Sequence, residues 1–114
     1  KDDLFYPRPD FALINLGLAY LGKGDYPSAL KEFNTVLAMN PRNPVARVSI
    51  GRVLFAQGLT ERAILEYRRA LEISPDYAAG HYYLGLALMK KGRTAEAQNA
   101  FNRARQLDPR LRIQ

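Results

Sequence analysis

The chain has 114 residues, 47% of them apolar, and a formal net charge of +6 at pH 7. This length favours one domain, and the apolar share is sufficient for a continuous core. No apolar stretch reaches the roughly 18–20 residues of a membrane span, no signal-peptide pattern is present, and the lack of cysteine excludes disulfides, thiolate metal ligands and cysteine nucleophiles.

The first predicted element is an extended segment, residues 1–9, because prolines at positions 7 and 9 favour an extended backbone. Leu4, Phe5 and Tyr6 make this segment apolar. We expect these side chains to pack on the helix that follows or to join a repeat further upstream. The second alternative predicts that the chain is the C-terminal part of a longer array.

A helical unit follows over residues 10–43. Its first helix is predicted over residues 10–22, because Pro9 cannot continue a helix backwards and Gly24 can adopt the left-handed conformation that ends many helices. Its second helix is predicted over residues 27–39, where a new helical stretch lies between the turn and the next proline.

Two further units, residues 44–77 and 78–111, repeat this helix–turn–helix order, and residues 112–114 form a short tail. Thr60 and Thr94 are predicted N-caps, because a hydroxyl at that position accepts a hydrogen bond from the first helical turn. The helices of these two units are predicted over residues 45–57, 60–73, 78–91 and 94–107.

Glycine, alanine and proline recur at a spacing of 34 residues, which is typical of several copies of one helix–turn–helix unit. Glycine inside a helix costs about 1 kcal/mol relative to alanine, so a repeated glycine implies a repeated packing benefit. We expect a close approach of the two helices of each unit, with Leu16, Tyr20 and Phe33 around the contact in the first. The recurring sets are Gly17, Gly51 and Gly85; Gly24, Gly58 and Gly92; Ala29, Ala63 and Ala97; and Pro41, Pro75 and Pro109.

The order of these residues resembles the tetratricopeptide repeat (TPR) family, and the resemblance extends over residues 10–111. It implies an all-α, right-handed superhelix of three helix–turn–helix units, with about six helices, acting as a non-catalytic scaffold. Arg47 and His81 depart from the pattern, which has a large apolar residue at their position. The first unit carries the pattern in Leu13, Leu16, Gly17, Tyr20, Gly24, Asp25, Tyr26, Ala29, Phe33 and Pro41.

In this family the second helix of each unit packs apolar residues against the next unit. Ile64 and Leu71 fit this role in the second unit, whereas the equivalent residues of the third unit are Gln98 and Arg105. Polar residues are expected where a terminal helix faces water, so we predict that the array ends with the third unit.

The same resemblance implies that the first helices of the units line a concave groove. The residues predicted to face this groove are mostly apolar and surround one cation, Arg52. Because an exposed apolar surface is typical of a contact site, we expect the groove to bind an amphipathic helix or an extended apolar peptide with an acidic group. Phe55, Tyr82 and Tyr83 are the predicted anchors. The groove residues are Phe11, Ile14, Asn15, Leu18 and Leu21; Val45, Val48, Ser49, Arg52 and Phe55; and Ala79, Tyr82, Tyr83, Leu86 and Met89.

Other uses of these surfaces remain open. The leading segment could fill the groove, or the groove could join two copies of the chain in a homo-oligomer. RNA binding is a further alternative, because residues 78–111 carry a net charge of +4. These cations lie mainly on the last helix and the tail, away from the aromatic groove, which makes nucleic acid the less favoured partner.

Two narrower functions follow from resemblance. Residues 4–7 and 15–18 are similar to bacterial PilF/PilW-type lipoproteins of type IV pilus assembly, which would imply a role in the bacterial envelope. The compartment stays open between bacterial cytoplasm and periplasm. TPR co-chaperones grip the C-terminal carboxylate of HSP70 or HSP90 with a lysine and asparagine clamp, and we predict that this function is absent. The positions that match the clamp are Ile14, Leu18, Ser49, Ala79 and Tyr83.

The sequence shows no arrangement of residues that is typical of catalysis. Paired carboxylates, a nucleophile with its base and a phosphate-binding glycine loop are all missing from it. His81 is the one histidine, and no cysteine could complete a metal site with it. We therefore predict that the chain is not an enzyme and has no metal site and no cofactor.

Overall fold

The computed structural model describes residues 9–111, which form six α-helices joined by short turns and contain no strand. The all-α prediction is confirmed, and each helix begins and ends within one residue of its predicted bounds. The helices are α1 (Pro9–Gly22), α2 (Tyr26–Met39), α3 (Pro44–Ala56), α4 (Thr60–Ile73), α5 (Ala78–Lys90) and α6 (Thr94–Leu107).

The six helices form two layers. Each helix contacts the next one along the chain, and α1, α3 and α5 also contact one another in order. Within residues 9–111, no such backbone contact joins α2 to α4 or α4 to α6. Because the first layer is the closer packed of the two, the stack curves with α1, α3 and α5 on its concave side.

A glycine in the left-handed conformation forms the turn inside each unit. Gly24 and its two equivalents have φ angles between 76° and 82°, which glycine adopts without the steric cost of a Cβ atom. After the first of these turns, the Asp25 N–H donates to the Tyr20 carbonyl at 2.9 Å, and the Asp25 carboxylate accepts from the Ser28 N–H at 3.2 Å. Gly24 therefore ends α1 as predicted, and Asp25 is the N-cap of α2.

The predicted N-caps Thr60 and Thr94 are wrong by one residue. The N-caps are Leu59 and Arg93, which directly follow their turn glycines, and neither side chain makes a capping hydrogen bond. Their carbonyls still accept the first helical hydrogen bonds, from Ala63 and Ala97. The repeated glycine turn determines where each helix begins, so the local preference of threonine for the cap has no effect here.

The recurring mid-helix glycine lets an aromatic ring lie directly on the backbone of the facing helix. A Cβ built on Gly17 would lie 2.5 Å from Phe33 Cε1, and one built on Gly85 would lie 2.5 Å from Phe101 Cε1. Ala29 and its equivalents are fully buried. The close approach is thus a contact of a ring with glycine, not of alanine with glycine.

The core is concentrated in the middle of the stack. Helix α3 buries most of its residues, whereas Ile14 and Gly17 are the buried residues of α1. Leu16, which was expected to pack beside Phe33, is 42% exposed. The expectation for Leu16 fails because no helix of residues 9–111 covers that side of α1.

Arg47 and His81, the two polar departures from the repeat pattern, bond to the links between units. Arg47 donates to the Pro41 carbonyl at 3.5 Å and to Glu66 Oε1 at 3.3 Å, while His81 Nε2 lies 2.8 Å from the Pro75 carbonyl. Arg47 Nε is buried without a hydrogen-bond partner among residues 9–111. At both positions a hydrogen bond to the link takes the place of an apolar contact.

No helix within residues 9–111 has the length and apolar character needed to cross a bilayer. Pro9, expected to end the leading segment, is the first residue of α1. The other expectations for the leading segment and the tail concern residues 1–8 and 112–114, which lie outside the described residues.

Candidate functional site

The predicted groove residues divide into exposed and buried ones. Ile14, Val48 and Ser49 are buried, with exposures of 7%, 1% and 3%, and the Ser49 hydroxyl donates to the Val45 carbonyl at 2.8 Å. These three side chains belong to the core and not to the groove surface, because neighbouring helices cover them. The partly or fully exposed residues are Phe11, Asn15, Leu18, Leu21, Val45, Arg52, Phe55, Ala79, Tyr82, Tyr83, Leu86 and Met89.

A depression of about 280 Å³ lies where α1, α3 and α5 come together, and we call it the Arg52 depression. Most of its lining residues were predicted to face the groove, and they come from all three helices of the concave layer. The structure therefore joins residues that are far apart in the sequence into one site. The depression is lined by Leu21, Arg52, Phe55, Ala56, Tyr67, Tyr83 and Leu86.

The Arg52 guanidinium stacks on an aromatic ring. Its central carbon lies 4.6 Å from the centroid of the Tyr83 ring, within the range of a cation–π interaction. Arg52 forms no ion pair with any residue in the range 9–111. Its positive charge therefore lies against a ring and beside apolar side chains instead of a carboxylate.

Aromatic side chains hold Tyr83 in place. The Tyr83 ring stacks with Tyr67 at a centroid distance of 6.3 Å and meets Tyr82 edge-on at 5.3 Å. Tyr82 packs in turn against Phe101 of α6 at 6.1 Å. Of the predicted tyrosine anchors, Tyr83 lines the Arg52 depression, whereas Tyr82 packs towards the second layer.

Burial keeps the neighbouring phenols protonated. It raises the pKa of the Tyr67 hydroxyl well above its usual range, although the positive charge of Arg52 opposes the shift. Burial also raises the pKa of Tyr77, helped by Tyr83 and again opposed by Arg52. Both hydroxyls are neutral at neutral pH, so the Arg52 depression carries a net positive charge.

A second depression, of about 240 Å³, lies on the same layer between the first turns of α1 and α3. Phe11, which is 64% exposed, supplies most of its apolar surface. The Asn43 side chain is already used, because it accepts a hydrogen bond from the Ala46 N–H at 3.1 Å. The concave side thus offers two separate depressions. The second is lined by Asp10, Phe11, Ile14, Asn43 and Val45.

Sequence reasoning missed Ala56 and Tyr67 as lining residues. Tyr67 was expected to fill the core beside Gly51, and its ring does lie on Gly51, yet it also lines the Arg52 depression. The signal that could have identified it is its hydroxyl, because the equivalent residues of the other units are Phe33 and Phe101.

The cations of the third unit lie outside the Arg52 depression. Arg93 and Lys91 approach Glu61 of α4 at 2.8 and 3.7 Å, so part of their charge is balanced by the second unit. Arg68 and Glu96 form a further pair between α4 and α6 at 3.3 Å. The positive charge of residues 78–111 and the aromatic groove are therefore separate features of the surface.

Solved structures with the same arrangement of helices are similar to this chain over most of its length. The type III secretion translocator chaperone SycD of Yersinia enterocolitica superposes with a TM-score of 0.80 at 20% identity, covering 92% of this chain and 80% of that one. The first TPR of Spaghetti (RPAP3), bound to an HSP90 peptide, gives 0.81 at 20% identity, with 90% and 82% covered. The Sgt2 TPR domain of Aspergillus fumigatus gives 0.83 at 21% identity, with 91% and 69% covered.

At this level of identity the structural likeness concerns the fold. No curated protein sequence matches the chain. The tetratricopeptide repeat family matches twice, over residues 14–78 and over residues 78–111. These two matches support the repeats and not the resemblance to pilus-assembly lipoproteins, which stays a prediction. With repeats matched over most of its length and six helices stacked in order, the chain belongs to the tetratricopeptide repeat family.

Proposed function

We propose that this protein is an interaction scaffold that binds an apolar or amphipathic peptide segment of a partner protein in its concave groove, next to an acidic group. The observation that carries the proposal is the Arg52 depression, an apolar hollow with a cation that has no ion-pair partner within residues 9–111. The peptide complex of the first TPR of Spaghetti (RPAP3) gives structural support for this use of the fold.

The charge of Arg52 supports an acidic ligand. A guanidinium binds a carboxylate through two parallel hydrogen bonds, and such bonds are stronger in a site that excludes water. The stacking of Arg52 on Tyr83 orients the guanidinium before a ligand arrives. Less conformational entropy is then lost when a carboxylate binds.

The walls of the depression support an apolar side chain next to that carboxylate. Leu86 is 36% exposed, and Phe55 and Leu21 are partly exposed, so water covers apolar surface here. Displacing this water stabilises a complex by about 25 cal/mol per Å² of apolar area. A volume of about 280 Å³ is at the lower end of small-molecule sites and suits a peptide side chain.

The ligand of the Spaghetti (RPAP3) domain, the HSP90 peptide SRMEEVD, is acidic, as our proposal requires. Clamp chemistry is nevertheless missing at the matching positions of this chain. We therefore propose an acidic and apolar segment bound at Arg52, rather than the C-terminus of an HSP90 chaperone. The clamp-equivalent residues are Ile14, Leu18, Ser49, Ala79 and Tyr83.

Selection from a random peptide phage library tests the proposal. The wild-type chain should select peptides with a carboxylate next to an apolar side chain, and Arg52→Glu should weaken a selected synthetic peptide by tenfold or more in fluorescence anisotropy. Arg62→Glu is the matched control, because Arg62 is exposed on α4 and forms no ion pair among residues 9–111. Equal affinities of wild type and Arg52→Glu would show that the groove is not the site.

A further inference from the structure

The outer side of α1 repeats a surface that is buried elsewhere in the molecule. On α3 and α5 this surface receives the second helix of the preceding unit, and Ile50 and Leu84 at its centre are 9% and 6% exposed. Leu16, 34 residues before Ile50, is 42% exposed. The equivalent sets are Ala12, Leu16 and Ala19 on α1; Ala46, Ile50 and Val53 on α3; and Gly80, Leu84 and Ala87 on α5.

The flanking residues show the same contrast. Ala46 and Val53 are fully buried on α3, whereas Ala12 and Ala19 are exposed on α1. The residue types, small at the two ends and branched in the middle, are nevertheless alike. Since the sequence keeps the pattern of a buried helix contact on α1, the outer side of α1 has the shape and the apolar character of a helix-binding surface.

The contact of α4 with α5 shows what kind of helix such a surface holds. Leu71 of α4 lies directly on Gly80, with its Cδ2 atom 2.9 Å from the position of a Cβ at that residue. Ile64, two helical turns before Leu71, is 4% exposed. The covering helix is therefore amphipathic and presents branched apolar side chains seven residues apart.

We propose that the outer side of α1, formed by Ala12, Leu16 and Ala19, binds an amphipathic helix of a partner polypeptide in the way that α5 binds α4. The argument is continuity: the same repeat that stacks α2 on α3 and α4 on α5 leaves one more surface of the same kind. This site is separate from the groove and does not depend on the proposed function.

A second copy of this chain fits the surface less well than a partner helix does. The helix that a head-to-tail neighbour would offer is α6, because α2 and α4 are already covered by α3 and α5. At the places of Ile64 and Leu71, α6 carries Gln98 and Arg105. Packing these polar groups on Leu16 would leave them without water or a hydrogen-bond partner.

The test uses a synthetic probe with the sequence of α4, Thr60–Ile73, acetylated and amidated. A lactam bridge between Glu61 and a lysine introduced by Leu65→Lys holds the peptide helical, since both positions are exposed in α4, and circular dichroism verifies the helix beforehand. The control peptide carries Leu71→Asp in addition. Binding to the full chain is measured by fluorescence anisotropy.

We expect the probe to bind wild type, and Leu16→Asp to bind it at least tenfold more weakly. Leu65→Asp is the matched control in the full chain, because Leu65 is 49% exposed on α4, and it should bind like wild type. The Leu71→Asp peptide should lose at least tenfold in affinity for wild type.

Three results would overturn the proposal. They are no binding of the verified helix, equal binding of the probe to wild type and Leu16→Asp, and a wild-type dimer in sedimentation that Leu16→Asp dissociates. The last result would identify a second copy as the occupant of the surface. Because none of these experiments involves Arg52, they leave the groove proposal untouched.

Discussion

Arg52 shows how the surroundings of one residue determine its chemical role. Arg69 and Arg93 have the same side chain, but their charges lie beside Glu66 and Glu61 at 3.1 and 2.8 Å. Exposed pairs of this kind contribute about 0–1 kcal/mol to stability. The Arg52 guanidinium instead stacks on a tyrosine ring, where an incoming carboxylate has no internal competitor within the described residues.

At the residue scale, the buried Tyr67 hydroxyl predicts a loss of stability at alkaline pH. Its pKa is higher in the folded chain than the value of about 10 expected when unfolded, so the folded state keeps the proton to higher pH. The contribution to the free energy of unfolding is full below about pH 10 and decreases above it, by at most about 1.4 kcal/mol per pH unit.

Urea unfolding at several pH values checks this expectation. Tyr67→Phe should flatten the alkaline decline, because phenylalanine has no proton to lose. Tyr26→Phe, at a partly buried position at the start of α2, is the control and should keep the decline of wild type. A Tyr67→Phe profile parallel to that of wild type would contradict the assignment.

At the scale of elements, each hairpin depends on a ring packed on a glycine. The contact recurs in all three described units, through Phe33, Tyr67 and Phe101. Glycine here is not a turn residue but a gap in the helix surface, and the ring fills it. The helix propensity lost at glycine is thereby offset by a buried aromatic contact.

This packing predicts opposite effects for the same substitution at two glycines. Gly51→Ala should lower the free energy of unfolding by about 1–3 kcal/mol, since its Cβ would overlap the Tyr67 ring. Gly22→Ala, at the end of α1 with nothing within 4 Å of its Cβ, should raise it by up to about 1 kcal/mol. Urea denaturation of both variants decides the matter; a stabilised Gly51→Ala would contradict the ring contact.

At the scale of the whole molecule, stability should be uneven along the stack. The described residues form a quasi-linear array in which each unit contacts its neighbours alone. Helix α3 lies between α2 and α4 and also contacts α1 and α5, whereas α1 contacts α2 and α3. The interior helix therefore has more of its surface buried than the outer one.

We expect native-state hydrogen exchange to show this gradient. Amides of α3 should exchange close to the free energy of global unfolding, and amides of α1 should open at a lower free energy, by at least about 1 kcal/mol. Bound probe helix at Leu16 should reduce the difference. Equal protection of α1 and α3 in the free chain would mean that the stack unfolds as one cooperative unit.

Much of the fold follows from periodicity along the chain. A spacing of 34 residues, with glycine at the turns and proline in the links, was sufficient for the helix bounds and the two-layer stack. Helices and turns obey local rules, so three copies of one pattern report the same structure three times. Local rules failed at Thr60 and Thr94, where the repeated turn overrides the capping preference.

The site itself depends on how the units stack, which no local pattern contains. Ile14 and Val48 were expected on the groove surface but are buried, and Leu16 was expected in the core but is exposed. The stacking of Arg52 on Tyr83 joins two helices whose relative position is decided by side chains packed between them. Burial and charge neighbours are properties of the assembled stack, because each arises from residues that belong to different units.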